Sequence, residues 1–216
     1  MARNPPAGPP GKSAPGGSPR FILVAAVLAA LVILGAGVFL ALALRDNPRG
    51  AAGTVLASAI GGPFRLTDQN GKTVTDADLK GKWSLVYFGY THCPDACPTA
   101  LNDISIALED LGTKRDAVRP VFITVDPERD TPEALKAYVT SFDAPILALT
   151  GTPEQVAQAA KGYRVYYAKH PEAGGEYSMD HSSVIYVMDP QGRFTASFTH
   201  ESTPEQIAER LKKLLT

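Results

Sequence analysis

Apolar residues are distributed differently in two parts of the chain. Near the N-terminus, residues 21–44 form one run of 24 positions without a charged or strongly polar residue. As a helix rising about 1.5 Å per residue, this run would measure roughly 36 Å, enough to cross a hydrocarbon core of about 30 Å. It is also longer than the roughly 7–15 apolar residues of a signal peptide, although Ala41-Leu42-Ala43 resembles a cleavage site. The run therefore predicts an uncleaved transmembrane anchor.

From about residue 60, short apolar runs alternate with amphipathic segments. The apolar runs are typical of buried strands, whereas the amphipathic segments carry apolar residues at helical spacing. A proline opens each amphipathic segment, as at many helix N-termini. The predicted elements are a hairpin around Asn70-Gly71, strands at 83–90, 118–126, 144–150, 183–189 and 193–200, and helices at 98–111, 131–142, 152–163 and 203–216. This order predicts an α/β layer architecture, a sheet with flanking helices and an N-terminal hairpin.

The segments on either side of the anchor differ in composition from the domain. Residues 1–20 contain 6 Pro and 4 Gly and are predicted to be a disordered tail, and residues 45–59 are predicted to tether a domain at 60–216. The tail carries three basic residues and no acid, which favours an N-terminus in the cytoplasm. The domain would then lie outside the cytoplasm, where disulfides are permitted. A single-pass protein of a bacterial inner membrane, with its domain in the periplasm, fits best.

The charge of the chain narrows the class of partner. Net charge is −1 overall, but from Arg45 onward there are 18 basic and 22 acidic residues, which gives −4. A mildly acidic domain is not typical of proteins that bind nucleic acid. We therefore expect no nucleic-acid partner.

The two cysteines of the chain, Cys93 and Cys97, stand where the first buried strand meets its helix. In helical geometry their Cα atoms would lie about 6 Å apart, inside the roughly 4.4–6.8 Å range of a disulfide. The same spacing lets two thiolates converge on one metal ion, and a helix N-terminus favours the thiolate form. A bridge across so short a loop removes little chain entropy, which disfavours a purely stabilising disulfide. A redox switch and a metal site both remain open.

A metal site needs a further ligand, and His181 stands directly before the predicted strand at 183–189. If that strand neighbours the strand at 83–90, its start would bring an imidazole to the cysteines. Two thiolates and one imidazole form a soft set that suits Cu(I). Zinc prefers four ligands, and Asp180 or Asp95 would have to supply the fourth.

The remaining candidate residues are linked less closely to the cysteines. His92 could tune the pKa of Cys93 or bind metal, and Met179 offers a soft sulfur but is more typical of core packing. His170 and His200 are predicted on the surface. The loop at 126–130, which follows the second buried strand, is predicted as a solvated turn, with a docking surface as the alternative.

Three segments of the chain resemble the Sco/SenC family, membrane-anchored copper chaperones of cytochrome c oxidase with a thioredoxin-like fold. They are LTDQNGKTVTDADLKGKWSLVYFGYTHCPDACP, VDPERDTPE and DHSSVIYVMDPQGRF, and they occur in the order found in the family. The resemblance implies a thioredoxin-like domain. It also implies that Cys93, Cys97 and His181 are copper ligands, and that Asp126 and Asp130 belong to a loop that faces the partner.

The resemblance implies delivery of copper, as Cu(I) with Cu(II) as a second state, to the dinuclear copper centre of the oxidase. The expected partner is the copper-bearing oxidase subunit, with other periplasmic copper carriers or thioredoxin-like reductants as further partners. Whether the protein is an enzyme stays open, because a metallochaperone of this kind can also act as a thiol–disulfide reductase.

A thiol–disulfide oxidoreductase that reduces partner cysteines is the alternative, since exchange needs only the two thiols. The C-x-x-x-C spacing and the Asp-His pair at 180–181 count against it, because thioredoxins have C-x-x-C and Thr-Pro. A peroxiredoxin-like peroxidase is disfavoured because Thr91 stands two residues before Cys93 and not three. A purely structural binding module ranks last because it leaves the paired thiols unexplained.

Overall fold

The computed structural model describes residues 31–32, 34–35, 60–199 and 201–215. Of the predicted anchor at 21–44, only the four described residues can be assessed, and they are helical. The predicted tail at 1–20 and tether at 45–59 lie outside the described residues. Among the described residues, none of the helices combines the length and the apolar composition that crossing a membrane requires.

Strands and helices alternate through the described part of the domain, as the apolar pattern predicts. The strands are β1 (Arg65–Asp68), β2 (Thr73–Thr75), β3 (Trp83–Gly89), β4 (Val118–Thr124), β5 (Leu147–Thr150), β6 (Tyr167–Pro171), β7 (Tyr177–His181), β8 (Val184–Met188) and β9 (Phe194–Thr199). The α-helices are α1 (Ala96–Asp110), α2 (Pro132–Val139), α3 (Pro153–Tyr163) and α4 (Pro204–Leu214). Thr131, Thr152 and Thr203 cap α2, α3 and α4 by accepting a backbone N–H with their side chains.

Seven of the strands form one mixed sheet in the order β2-β1-β5-β4-β3-β8-β9. The central strands β3, β4 and β5 are parallel, so their carboxyl ends meet at one edge of the sheet. β8 pairs antiparallel with β3, with Tyr87 opposite Ile185. The condition for placing His181 near the cysteines, namely that the strand after it neighbours the strand before them, is therefore met.

Helices cover both faces of this sheet, because both faces of the central strands are apolar. Tyr87 packs toward α1 and α2, where its ring contacts Phe122 at a centroid distance of 6.5 Å. The next residue, Phe88, points to the opposite face and packs against Tyr163 of α3 at 5.3 Å. Large side chains with less than 2% exposure include Leu66, Leu85, Tyr87, Phe88, Leu101, Ile104, Leu108, Phe122, Ile123, Leu135, Leu149 and Ile207.

The structure contains a hairpin that the apolar pattern does not predict. β6 and β7 pair antiparallel in a separate two-stranded sheet, with Tyr167 opposite His181. The turn between them holds Gly174 and Gly175, both with positive φ. His181 therefore ends a strand of its own and does not lie in a loop before β8.

Candidate metal centre

The cysteine loop connects the carboxyl end of β3 to the start of α1. The backbone N–H of Cys93 donates to the carbonyl of Tyr90 (3.2 Å), which turns the chain sharply after the strand. α1 begins at Ala96, two residues before the predicted start at Pro98, so Cys97 lies in its first turn. Cys93 precedes the helix, so the helical spacing considered for the pair does not apply to it.

The two thiols are adjacent in spite of this difference. Both cysteines are free, Cys97 is buried and Cys93 is half-buried. The Sγ of Cys93 accepts a hydrogen bond from the backbone N–H of Cys97 (3.4 Å), because the first N–H groups of a helix have no partner within the helix. Cys93 is the thiol that solvent and a partner can reach.

His181 completes a group of three donor atoms. Its Nε2 lies 3.3 Å from the Sγ of Cys97, and its Nδ1 lies 3.3 Å from the carbonyl oxygen of Ser182. In the tautomer with the proton on Nδ1, that proton goes to the carbonyl and the lone pair of Nε2 faces the thiols; in the other tautomer Nε2 donates to them. One donor atom from each of Cys93, Cys97 and His181 lies within 4.8 Å of the other two. The structure brings together the three residues that the sequence selects.

Aromatic rings and one glycine shape the site. Tyr87 and Tyr90 contact the imidazole of His181 edge-to-face, at centroid distances of 6.0 and 5.9 Å. A Cβ atom on Gly89 would lie 2.6 Å from the Sγ of Cys97 and 2.9 Å from the ring of Phe122. The buried thiol of Cys97 therefore packs directly against the backbone of Gly89 at the end of β3.

The two thiols hold their protons unequally. The hydrogen bond from the Cys97 thiol lowers the pKa of Cys93 well below its ordinary value, and His181 adds to this effect while burial opposes it. The same hydrogen bond, together with burial, raises the pKa of Cys97. The pair therefore carries one negative charge near neutral pH, on the half-exposed sulfur, and one proton on the buried sulfur.

The other metal-ligand candidates do not join this group. His92 is exposed, and its Nδ1 lies 3.1 Å from the hydroxyl of the neighbouring Thr91. Asp95 is exposed at the start of α1, outside the group of three. The described residues thus give no fourth ligand of the kind that zinc prefers.

Residues of the hairpin other than His181 also point away from the thiols. Asp180 pairs with His170 (2.8 Å), and both side chains are more than half exposed, so the surface prediction for His170 is confirmed. Met179 is 8% exposed and packs in the core, as its residue type favours. His200 lies outside the described residues.

The two aspartates of the loop at 126–130 do not face solvent as the resemblance implies, although Glu128 between them is exposed. Asp126 is 2% exposed and Asp130 is fully buried, so neither carboxylate is available on the surface to a partner. Hydrogen-bond donors of the domain satisfy both carboxylates, which is the condition for burying a charge. Burial raises the pKa of Asp130, while hydrogen bonds from Thr124 and Thr91 oppose that shift.

Several residues around the site are missed by sequence reasoning. Gly89 carries a usable signal, since a glycine that ends a buried strand often marks close packing. Arg129 and Tyr177 contact each other through a hydrogen bond between residues 48 positions apart, which no local pattern reveals.

Comparison with known proteins places the chain in a family. A family model described as SCO1/SenC matches residues 52–216. A structure of ScoI from Bradyrhizobium japonicum with copper bound is 54% identical, with a TM-score of 0.68, and the match covers 72% of this chain and 99% of that one. This likeness confirms the predicted thioredoxin-like α/β fold with its mixed sheet.

Two curated relatives show how much of the chain is shared. The SCO2-like protein of Rickettsia felis is 39% identical over 197 residues, which cover 88% of this chain and 96% of that protein. The mitochondrial SCO1 homolog 1 of Arabidopsis thaliana is 41% identical over 157 residues, 72% of this chain, and the chain spans 47% of that protein's length. On the family model and these identities, the chain belongs to the SCO1/SenC family.

Proposed function

We propose that this protein is a copper chaperone that holds Cu(I) through Cys93, Cys97 and His181 and delivers it to the dinuclear copper centre of cytochrome c oxidase during assembly. The observation that carries the proposal is the approach of three soft donor atoms to within 4.8 Å of one another. Two thiolates and an imidazole are ligands that suit Cu(I). The copper bound to the similar ScoI of Bradyrhizobium japonicum supports the choice of metal, and family membership supports the oxidase as acceptor.

Loading and release follow from the unequal burial of the two thiols. Cys93 is half-buried and already deprotonated, so it is the first ligand for incoming copper and the first that a partner's thiolate can replace. Cys97 is fully buried and gives up its proton only when copper binds. His181 contributes a neutral nitrogen. The expected acceptor is the copper-bearing subunit of the oxidase, with other periplasmic copper carriers as donors.

The proposal includes a membrane anchor. Residues 21–44 cross a bacterial inner membrane once, residues 1–20 stay in the cytoplasm, and residues 45–59 tether the domain at 60–216 in the periplasm. The apolar run and the basic tail support this topology. Tethering raises the effective concentration of the domain near a membrane-bound oxidase. Protease added to intact spheroplasts should cleave the domain and spare the tail; a protected domain would contradict the topology.

A thiol–disulfide oxidoreductase is the second candidate, and the low pKa of the half-exposed Cys93 favours it. The Cys93 thiolate would attack a partner disulfide, form a mixed disulfide and release one partner thiolate. Cys97 would then lose its proton to that thiolate and attack Cys93, which releases the second partner sulfur as a thiolate. The partner would be reduced by two electrons, and this chain would hold the Cys93–Cys97 disulfide. A thioredoxin-like reductant would have to restore it.

Anaerobic Cu(I) titration of the full-length protein in detergent, against a competing chelator, tests the first proposal. We expect one tightly bound copper per chain, lost in Cys93→Ala and much weakened in His181→Ala. His170→Ala is the matched control, because His170 is an exposed histidine on the same hairpin and should leave the affinity unchanged. Wild-type affinity in Cys93→Ala would refute the proposal. Reductase activity that survives His181→Ala in a protein without tight copper binding would favour the second candidate.

A further inference from the structure

The strand that carries His181 is not part of the main sheet. Among the described strands, β6 and β7 pair with each other, whereas the cysteines follow β3 in the centre of the seven-stranded sheet. The chain after His181 links the hairpin to the main sheet, because Ser182 and Ser183 lead directly into β8, which pairs with β3. This link fixes only the end of β7, so contacts along the rest of the hairpin help to set the distance of 3.3 Å between the Nε2 of His181 and the Sγ of Cys97.

One aspartate of the 126–130 loop holds the hairpin. The Nε of Arg129 donates to the Oδ2 of Asp126 (2.5 Å), and its Nη1 donates to the backbone carbonyl of Tyr177 at the start of β7 (3.0 Å). The guanidinium stacks on the ring of Tyr177, with its Cζ 3.7 Å from the centroid. The hydroxyl of Tyr177 donates to the Oδ1 of Asp126 (2.8 Å), so Arg129 and Tyr177 bind the same carboxylate.

The other aspartate of the loop holds the cysteine loop. Asp130 accepts hydrogen bonds from the backbone N–H (3.0 Å) and the hydroxyl (2.5 Å) of Thr91, two residues before Cys93. It also accepts from the hydroxyl of Thr124 at the end of β4 (2.5 Å). These bonds are charge-assisted and buried, so they are among the stronger ones that a protein forms.

The two aspartates are fixed relative to each other by the loop itself. The backbone N–H of Asp130 donates to the carbonyl of Asp126 (3.0 Å), and the backbone N–H of Asp126 donates to the hydroxyl of Thr124 (2.9 Å). Thr124 ends β4, a central strand that pairs with β3 along its whole length. The loop is therefore a short rigid connection with one attachment at each end.

We propose that residues 126–130 form a bracket that sets the separation of the two halves of the copper site. Asp130 positions the cysteine loop through Thr91, and Asp126 positions His181 through Arg129 and Tyr177. None of these five residues, Thr91, Asp126, Arg129, Asp130 and Tyr177, is a ligand; they are positioning residues. The inference rests on the proposed function, because it assumes that His181 and the thiols bind one copper ion.

A double-mutant cycle separates positioning of His181 from a general structural role. Arg129→Lys keeps the positive charge but loses the stack and one of the two directed hydrogen bonds. We expect it to weaken Cu(I) binding about tenfold, the lower end of the range for residues that orient a ligand. In a His181→Ala background the same change should have no further effect, since the residue that Arg129 positions is gone. Equal weakening in both backgrounds, or none in either, would overturn the proposal.

Arg193→Lys is the matched control. Arg193 also donates its Nε to a largely buried aspartate, Asp189 (2.7 Å), but at the turn between β8 and β9, at the opposite end of β3 from the cysteines. It should leave copper affinity unchanged. Loss of affinity in this control equal to that in Arg129→Lys would mean that the effect is general destabilisation, which would overturn the proposal.

Thr91→Val tests the other end of the bracket. It keeps the shape of the side chain and removes the hydroxyl that donates to Asp130. Because it acts on the cysteine loop, its effect on Cu(I) affinity should persist in the His181→Ala background, in contrast to that of Arg129→Lys. If the effect of Thr91→Val also vanished in that background, the assignment of one half of the site to each aspartate would be wrong.

Amide hydrogen exchange of the metal-free, full-length protein distinguishes failure of the bracket from failure of the copper site. Arg129→Lys should speed exchange in β6 and β7 and leave β3 unchanged. Faster exchange in β6 and β7 together with wild-type copper affinity in His181→Ala would support the bracket. It would refute His181 as a copper ligand. If exchange in β6 and β7 is unchanged, the bracket itself is refuted.

Discussion

The proposed copper site of Cys93, Cys97 and His181 has two halves that the fold holds in different ways. The cysteine half is built into the main sheet: β3 leads into it, α1 follows it, and Cys97 is fully buried on the backbone of Gly89. The histidine half is carried by the separate hairpin of β6 and β7. His181 is half-buried, and side-chain contacts with Arg129 and Tyr177 hold its hairpin.

This difference assigns a separate role to each half. Moving the thiols requires disturbing the centre of the domain, whereas moving the imidazole requires breaking the contacts of Arg129 and Tyr177 with Asp126 and shifting the short link from His181 to β8. A carrier that must both keep copper and give it up gains from this arrangement, because the buried Cys97 retains the ion while a partner replaces Cys93 and the imidazole withdraws.

Cys97→Ser should have the largest effect, because it removes the buried ligand of the rigid half. We expect Cu(I) affinity to fall by at least about a hundredfold, since changes in residues that only support a ligand already cost about 10–100-fold. Competition with a chelator under anaerobic conditions measures the loss. Ser105→Ala is a control for burial, because Ser105 is a buried residue of the same helix that bonds within it. Retained tight binding in Cys97→Ser would remove Cys97 from the ligand set.

The pH dependence of binding should come from the cysteine half. The pKa of Cys93 is lowered and that of Cys97 is raised, so near neutral pH binding displaces one proton, from Cys97. Above about pH 7.5, where imidazoles are ordinarily neutral, Cu(I) affinity should rise about tenfold per pH unit. The slope should be the same in His181→Ala. A slope of two protons would mean that both thiols are protonated, and a slope of zero that neither is.

Gly89→Ala should disturb the rigid half without touching a ligand. The added Cβ would lie 2.6 Å from the Sγ of Cys97 and 2.9 Å from the ring of Phe122, so the thiol or the ring must shift. Overpacking of this kind costs about 1–3 kcal/mol of unfolding free energy, and displacement of the thiol should weaken Cu(I) binding by about tenfold. Thermal unfolding and chelator competition measure the two effects.

Gly112→Ala is the control for this change. Gly112 has a φ of +56° with open space around it, so an alanine there strains the backbone and lowers stability away from the site. It should leave copper affinity unchanged. Equal loss of affinity in both variants would mean that the effect of Gly89→Ala is not local.

The sequence predicts the cysteine half better than the histidine half, for physical reasons. Cys93 and Cys97 follow a continuous apolar run, so the local sequence pattern predicts their place at the edge of the sheet. The hairpin around Gly174 and Gly175 is missed because β6 and β7 are short and largely polar, with little apolar alternation to reveal a strand. Its Gly-Gly pair is the signal that could have indicated the turn.

The burial of the two aspartates in the 126–130 loop is missed for a related reason. Charged residues are normally exposed, and a pattern of Asp, Glu and Arg after a strand predicts a solvated turn. Asp126 and Asp130 are buried because donors far apart in the sequence, Thr91 and Tyr177 among them, meet their oxygens. The tertiary fold decides which donors reach these carboxylates, so the local pattern around residues 126–130 cannot predict their burial.

Tyr177→Phe should have the smallest effect on copper affinity, and it tests most directly how firmly the histidine half is held. It removes the hydroxyl that donates to Asp126 and keeps the ring on which Arg129 stacks. One hydrogen bond is worth about 1 kcal/mol net, so copper affinity should fall by about fivefold at most. Tyr166→Phe is the matched control, because Tyr166 is 62% exposed beside the same hairpin. If Tyr177→Phe weakened binding as strongly as Cys97→Ser, the histidine half would be as rigid a part of the site as the cysteine half. The distinction between a rigid half and a less firmly held half would then be lost.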